Sequence, residues 1–170
     1  MSRLRRLYYR TSVYHIYNRG NNRIKVFKDN EDKIAFLETL SKYQKRFKFV
    51  VYGFVLMDNH YHMMVETCQT HSISKVMHAL TLSYGRRYQL KYKYVGHLWQ
   101  SRFKSRIIET EIYGLECLRY IHENPVKAGL VDRCESYLWS SARKYVQESD
   151  SQIEKYIAIT RYGDTCAATA

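Results

Sequence analysis

The sequence lacks the features that mark a membrane protein, a secreted protein or a disulfide-stapled one. No window of 18 apolar residues occurs among its 170 residues, so no transmembrane helix is predicted. The basic stretch 1–10 is not followed by an apolar segment, and no secretory signal is predicted. The four cysteines lie far apart and form no CxxC pair. Such spacing is typical of reduced thiols, so we expect a cytoplasmic protein with no membrane partner.

Several common catalytic signatures are also absent. The chain contains no P-loop, no GxGxxG, no Ser/His/Asp order and no paired-carboxylate pattern. Nucleotide-triphosphatase, hydrolase and glycosidase functions therefore lack support. Internal repeats and low-complexity linkers are absent too, and 45% apolar with 26% charged residues is ordinary globular usage. The length then predicts one domain with a short extension.

Acidic residues are scarce relative to basic ones. The chain has 28 Lys and Arg but 16 Asp and Glu, a formal net charge of +12. Residues 1–146 hold 26 of the bases and 12 of the acids, whereas residues 147–170 hold two bases and four acids. We predict a basic catalytic domain over 1–146 and a polar, slightly acidic C-terminal tail over 147–170. A domain this basic is expected to bind a polyanion, nucleic acid first.

The periodicity of apolar residues predicts seven main elements. Strand patterns occupy 12–18, 47–57, 60–67 and 102–108, and helical spacing occupies 29–46, 71–90 and 110–123. Pro125 is predicted to limit the third helix, because the residue before proline disfavours helical backbone. The order β-α-β-β-α-β-α predicts an α+β fold, a ferredoxin-like (RRM-like) sandwich. Its antiparallel sheet would carry helices on one face, with the third helix and a C-terminal extension added.

Two histidines are the first candidate for chemistry. His60 and His62 follow the tight turn Asp58-Asn59 and stand two apart on a predicted strand. Period-two geometry places both imidazoles on one face, with Cα atoms roughly 6.6–6.8 Å apart. Both rings can then converge on one ion, although an HxH pair alone is weak evidence for a metal site.

Tyr120 and Asn124 form a second candidate set. Residues four apart in a helix lie one turn from each other on the same face. A tyrosine nucleophile and an amide oxygen ligand would thus face one point; alternatively, Tyr120 is a core aromatic and Asn124 an ordinary helix-end residue. Tyr113 is a competing nucleophile, but the residue four positions later is Cys117, a poor ligand for a hard cation.

Chemistry links the two sets. The pKa of tyrosine lies near 10, so as a nucleophile it needs activation or a strongly polarised electrophile. A divalent ion held by two neutral imidazoles and an amide oxygen keeps its full charge and can polarise a scissile phosphate. The product would be a phosphotyrosine bond that conserves energy for rejoining.

Five segments in order over residues 12–146 carry a family resemblance. They are YHIYNRGNNR at 14–23, GFVLMDNHYHMMVE at 53–66, GHLWQSRFKS at 96–105, YIHENPVKAGLV at 120–131 and YLWSSARKY at 137–145. With these segments the chain resembles the REP-associated tyrosine transposases, within the single-tyrosine HUH transposase family that acts on single-stranded DNA. The segment at 139–141 favours the REP-associated branch.

The resemblance implies a ferredoxin-like catalytic core that uses Mg²⁺ or Mn²⁺. It places the HUH histidines on His60 and His62, the nucleophile on Tyr120 and the third metal ligand on Asn124, where related transposases commonly have glutamine. It also implies nicking and rejoining of DNA near REP-like palindromic hairpins through a 5′-phosphotyrosine intermediate. A monomer is favoured, with a dimer as the alternative.

Basic side chains and one tryptophan are the candidate DNA contacts. They are Arg19, Arg23, Arg86, Arg87, Trp99, Arg102, Lys104 and Arg106. Each base can instead be a solvated surface charge, and Trp99 can be a core residue rather than a platform for a base. His15, His78, His97 and His122 are interpreted as structural or exposed. The rival function is a non-catalytic RRM-like module that binds hairpin DNA or RNA.

Overall fold

The computed structural model describes residues 12–68, 71–146 and 155–162. Its strands are β1 (Ser12–Arg19), β2 (Val50–Met57), β3 (His60–Thr67) and β4 (Lys104–Ile108). Its helices are α1 (Asn30–Phe47), α2 (Ile73–Tyr92), α3 (Glu111–Lys127) and α4 (Ala142–Val146), with short 3₁₀ turns at Asn21–Arg23 and Cys134–Ser136. The strands form one antiparallel sheet in the order β2-β3-β1-β4. The predicted α+β, ferredoxin-like fold is confirmed.

Local sequence explains where the long helices begin. Asp29, Ser72 and Thr110 each adopt extended backbone, and each side chain accepts a hydrogen bond from the amide three residues ahead. These caps satisfy donors that the first helical turn leaves unpaired. The strand predicted over 47–57 starts later, at Val50, because Phe47 completes α1 and Lys48 ends it in left-handed backbone.

The sheet is buried on both faces. One face packs Tyr14, Ile16, Tyr61 and Met63 against α1 and α2. The opposite face packs Met64 and its neighbours against α3, whose Cys117, Leu118 and Ile121 form a second apolar cluster. The strand alternation therefore separates a purely structural face from a face that meets α3.

A bulge in β2 lets α3 approach the sheet closely. The pairing of β2 with β3 shifts between Val51 and Gly53, so that Tyr52 and Gly53 both meet the α3 side. A Cβ atom at Gly53 would lie 2.3 Å from Leu118 Cδ1. Any larger residue at position 53 would force the Leu118 side chain to move.

The prediction that Pro125 limits α3 near residue 123 is wrong. The helix continues to Lys127, with Pro125 inside it. Proline has no N–H for the Ile121 carbonyl, but the Asn124 side-chain amide donates to that carbonyl at 3.4 Å. Gly129, at a φ of 67°, then closes the helix with bonds from its own amide and that of Leu130 to preceding carbonyls.

Residues 155–162 pack on the domain. Ile157 and Ile159 are buried in the cluster under α1 and α2, and the Thr160 amide donates to the Val51 carbonyl. Tyr162 lies against α3, where a Cβ at Gly114 would be 2.3 Å from its hydroxyl. The division into domain 1–146 and tail 147–170 remains a prediction. Within residues 155–162, Ile157 and Ile159 pack on one side of the sheet and Tyr162 on the other. Tail residues 147–154 and 163–170 lie outside the described residues.

We predict that Gly53→Ala destabilises the protein by about 1–3 kcal/mol, because the added methyl overpacks the contact with Leu118. Chemical denaturation with and without the substitution measures the change. Gly85→Ala is the matched control, since a Cβ there meets only Trp99 Nε1 at 4.0 Å within a helix that alanine favours. Equal stability of Gly53→Ala and wild type would contradict the predicted overpacking.

Candidate active site

A cavity of about 670 Å³ lies between the sheet and α3. It is lined from the sheet by β1, β3 and β4 and from the helix by residues spaced three or four apart. The predicted site residues that line it are His60, His62, Tyr120, Asn124, Arg19, Lys104 and Arg106. Antiparallel pairing brings the strand residues together, and packing of α3 on the sheet adds Tyr120 and Asn124. These residues are up to about a hundred positions apart in sequence.

The two histidines of β3 face α3, as the alternation predicts. The centroids of their rings are 5.3 Å apart, and the ring planes are perpendicular. The ring of Tyr120 meets His62 edge-on at a centroid distance of 5.5 Å. Tyr61, between the histidines, is fully buried on the other face against Phe36.

Tyr120 rather than Tyr113 lies beside the histidine pair. Both tyrosines line the cavity, but Tyr113 is two helical turns nearer the N-terminus of α3. Tyr120 is 43% exposed, and the ammonium of Lys127 lies 5.3 Å from the centre of its ring. A nucleophile must reach a bound strand, so partial exposure within a cavity suits this role.

Asn124 is oriented by the helix that carries it. Its amide nitrogen donates to the Tyr120 carbonyl at 2.7 Å and to the Ile121 carbonyl at 3.4 Å. With the nitrogen engaged by these carbonyls, the side-chain oxygen is the atom left for other partners, and the side chain favours the charged form of His60, partly offsetting the lowered pKa of that histidine.

Burial keeps the histidines neutral. Loss of solvent, followed by the nearby Arg19 guanidinium, lowers the pKa of His60 to about 4. Burial and then the neighbouring histidines lower the pKa of His62 to about 3. Neutral imidazole is the form that binds metals, so at neutral pH both side chains are ready to act as ligands.

The donor atoms fit a divalent cation. Neutral His60 carries one N–H yet lies between the oxygens of Asn59 and Asn124, the first of them 2.6 Å from Nδ1. With its proton directed at Asn59, its second nitrogen carries a lone pair that is suited to binding a cation. No group of three or more His, Cys, Asp or Glu suited to a metal occurs within the described ranges. The resemblance places the third ligand on Asn124, whose side chain lines the same cavity as both histidines.

His15 is a site residue that sequence reasoning missed. It was interpreted as structural or exposed, but it lines the cavity with 8% of its surface exposed. Its Nε2 lies 3.0 Å from His62 Nδ1, and its ring is 5.9 Å from that of Tyr120. Alternation along β1 indicates that His15 and Tyr17 share a face; only the strand pairing brings that face beside His62.

His122 anchors the helix that carries Tyr120. Its Nε2 lies 2.8 Å from the Ser141 hydroxyl, and Ser141 accepts a bond from the Phe54 amide at 2.9 Å. This buried chain joins α3 to β2 through the segment after α3. Burial alone lowers the pKa of His122 to about 4, so the anchor is neutral at physiological pH.

The structure divides the predicted DNA contacts into two groups. Arg19, Lys104 and Arg106 are exposed and line the cavity. The other predicted bases are exposed, described residues outside the cavity lining: Arg23, Arg86, Arg87 and Arg102. Polar side chains that sequence reasoning did not select also line the cavity: Asn18, Gln100, Ser101 and the acidic Glu116.

Trp99 does not reach the cavity. Its indole nitrogen donates to the Thr81 carbonyl at 3.2 Å, and its ring packs edge-on against buried Tyr61. The ring thus packs between the sheet and α2, partly buried, which agrees with the alternative of a core residue; a role as a platform for a base remains a prediction.

The fold and site define a protein that handles nucleic-acid strands: a basic cavity holds a neutral histidine pair beside a tyrosine on a facing helix. The family model described as "Transposase IS200 like" matches residues 8–124, which is more than half of the chain. The chain belongs to this family of IS200-like transposases. It is therefore a DNA-binding transposase.

Solved structures show the same fold. A REP-associated tyrosine transposase bound to a REP hairpin aligns over 96% of both chains, with a TM-score of 0.71 and 18% identity. A structure assigned as a transposase, from Deinococcus radiodurans R1, aligns over 72% of this chain and 97% of its own, with a TM-score of 0.50 and 19% identity. Among curated proteins, no sequence matches significantly. The predicted resemblance is confirmed in family and fold.

No helix within the described ranges has the length and apolar character needed to cross a membrane.

We predict that the free energy of unfolding decreases as the pH falls from about 6.5 towards about 4. In this window the unfolded chain binds a proton that buried His122 does not, since folding lowers the pKa of His122 from 6.5 to about 4. One such group contributes a slope of up to about 1.4 kcal/mol per pH unit. Urea unfolding at several pH values measures it.

His122→Gln should make that slope shallower by up to one histidine's contribution, because the titrating group is gone. The exposed His97 provides the control, and His97→Gln should leave the slope of wild type. A wild-type slope in His122→Gln would contradict the prediction, because it would show that folding does not lower the pKa of His122.

Proposed function

We propose that the protein is a metal-dependent single-stranded DNA endonuclease and strand transferase. It nicks and rejoins DNA at hairpin, REP-like palindromic elements through a 5′-phosphotyrosine intermediate. The observation that carries the proposal is the meeting of Tyr120, His60, His62 and Asn124 in one basic cavity, with the Tyr120 ring 5.5 Å from that of His62.

Each set of residues has a distinct role. His60, His62 and Asn124 hold Mg²⁺ or Mn²⁺, which when bound supplies Lewis-acid polarisation of the scissile phosphate. Arg19, Lys104 and Arg106 neutralise the phosphates of the strand entering the cavity. Arg23, Arg86, Arg87 and Arg102 lie farther out, where they suit contacts to the rest of the hairpin.

Tyr120 performs the covalent step. Its hydroxyl oxygen attacks phosphorus, the bond from phosphorus to the 3′ oxygen breaks, and the 5′ phosphate stays on the tyrosine. The phenolic proton is lost and the departing 3′ oxygen gains one, so the charge balances. In rejoining, a 3′ hydroxyl attacks the phosphotyrosine and restores the phenol.

The hairpin partner is supported by the similar fold of the transposase solved with a REP hairpin. We expect the protein to act as a monomer, with a dimer as the alternative, and to reside in the cytoplasm.

Tyr120→Phe is expected to abolish the covalent protein–DNA adduct, a loss of at least about a thousandfold in cleavage, because the attacking oxygen is removed. Binding to a hairpin should stay within about twofold, since the ring and the basic rim remain. Denaturing gels with 5′-phosphotyrosine detection measure the adduct, and fluorescence anisotropy measures binding. Single-stranded hairpins from the flanks of the gene serve as substrates.

Tyr113→Phe is the matched control, because Tyr113 lies on the same helix and lines the same cavity. It should retain both the adduct and binding. Loss of the adduct in Tyr113→Phe with retention in Tyr120→Phe would assign the nucleophile to Tyr113.

Removal of metal is expected to stop cleavage without releasing the hairpin. EDTA should suppress the adduct and Mn²⁺ should restore it, because the cation polarises the phosphate but the basic side chains hold the strand. The His60→Ala, His62→Ala double variant should behave like the EDTA-treated protein at any Mn²⁺ concentration. Thermal melting tests whether that variant remains folded.

Hairpin binding with no adduct in Mg²⁺ or Mn²⁺ would instead indicate the rival function, a non-catalytic RRM-like module. RNA hairpins of the same sequence, used in parallel, show whether the cavity prefers DNA.

A further inference from the structure

The side chains next to the two cavity histidines have a defined chemistry. Each histidine of the pair has its Nδ1 atom close to one polar group: His60 Nδ1 is 2.6 Å from Asn59 Oδ1, and His62 Nδ1 is 3.0 Å from His15 Nε2. A neutral imidazole carries one proton, and the partner of Nδ1 decides which nitrogen holds it. The partner therefore decides which nitrogen is free to bind a cation.

We propose that Asn59 and His15 are positioning residues that hold His60 and His62 as Nδ1–H tautomers, so that both rings present Nε2 to the cavity. This inference rests on the proposed function, in which the two histidines bind a divalent cation.

The orientation of Asn59 is fixed by its own contacts. Its amide nitrogen lies 3.5 Å from the Arg23 carbonyl, so its oxygen is the atom that faces His60. A carbonyl oxygen accepts only, and His60 must therefore donate from Nδ1. The lone pair on Nε2 is left for a ligand bond.

The turn that carries Asn59 is itself held in place. The Gly20 amide donates to the Asn59 carbonyl at 2.8 Å, which ties the turn to the end of β1. Asp58, the preceding residue, forms ion pairs with Lys25 at 3.0 Å and with Lys33 at 3.2 Å. The turn that carries the hydrogen-bond acceptor of His60 is therefore held by one backbone hydrogen bond and two ion pairs.

His15 occupies the central strand of the sheet. It pairs with Met64 of β3 and Arg106 of β4, so its backbone is fixed on both sides. Its ring stacks on that of His62 at 5.2 Å, and the ring of Tyr17 lies 5.4 Å from His62. These rings restrict rotation of the His62 imidazole.

Of the two ways to share the proton between His15 and His62, only one leaves a cation ligand. If His62 donates from Nδ1 to His15 Nε2, its own Nε2 carries a lone pair. If His15 donates instead, the proton of His62 resides on Nε2 and blocks a cation. Partners of this kind raise metal affinity by orienting the ligand and fixing its tautomer.

Tautomers are measured directly by long-range ¹⁵N–¹H correlation NMR of the imidazoles in metal-free protein. We expect Nδ1–H for His60 and His62 in wild type, with signals assigned from His60→Gln and His62→Gln. Asn59→Ala should shift His60 towards Nε2–H, and Asn59→Asp, which keeps an acceptor oxygen, should retain Nδ1–H. A protein in which Asn59 only stabilised the turn would show no such tautomer change.

Mn²⁺ affinity is the second measurement, followed by the EPR signal of free Mn²⁺ during titration of the full chain. Asn59→Ala and His15→Leu should each weaken binding by about 10–100-fold, the usual effect of losing such a partner. Asn59→Asp and His15→Gln keep an acceptor and should restore binding. His97→Leu, at an exposed histidine, is the control, and melting temperatures identify any variant that unfolds.

The outcomes separate this inference from the proposed function. Nε2–H tautomers in wild type, or unchanged Mn²⁺ affinity in both Asn59→Ala and His15→Leu, would overturn the positioning role. Mn²⁺ binding that survives the His60→Ala, His62→Ala double substitution would overturn the proposed metal site, whereas the tautomer result would still decide the role of Asn59 and His15.

Discussion

The close packing of α3 on the sheet is the constraint on which the rest of the site depends. The bulge at Gly53 removes a side chain where Leu118 must lie, and the buried bonds from His122 through Ser141 to β2 fix the height of the helix. Tyr120 lies on that helix between Leu118 and His122, so the contacts of these two residues with the sheet set its distance from His62. The packing of the core therefore determines the geometry of the site in this protein.

Burial and positive charge act together on the histidines. Loss of solvent, and then nearby positive charges that include Arg19 of the cavity lining, hold the pKa values of His60 and His62 well below neutrality. Protonated histidines would repel a divalent cation, while neutral ones bind it. The environment of the cavity thus keeps these histidines in the form that the proposed metal binding requires.

Sequence reasoning succeeded where the signal was local. Strand β3 has the predicted bounds, His60–Thr67, because alternation and a tight turn are both local features. The helices predicted over 29–46 and 71–90 begin close to those positions, where the side chains of Asp29 and Ser72 cap them. The prediction that Pro125 ends the helix was wrong because the side chain of Asn124 supplies the hydrogen bond that proline cannot donate. Only the folded helix shows this compensation.

The sequence by itself determined the charge of the domain, the order of its elements and the pairings at spacings of two and four, His60 with His62 and Tyr120 with Asn124. Only the tertiary structure decided which distant residues join them. His15 lies beside His62 although 47 positions separate them in the sequence. Trp99 packs against the core, and three of the seven predicted basic residues line the cavity. The reason is physical: periodicity fixes the face on which a side chain lies, whereas strand order, register and helix docking decide what that face meets.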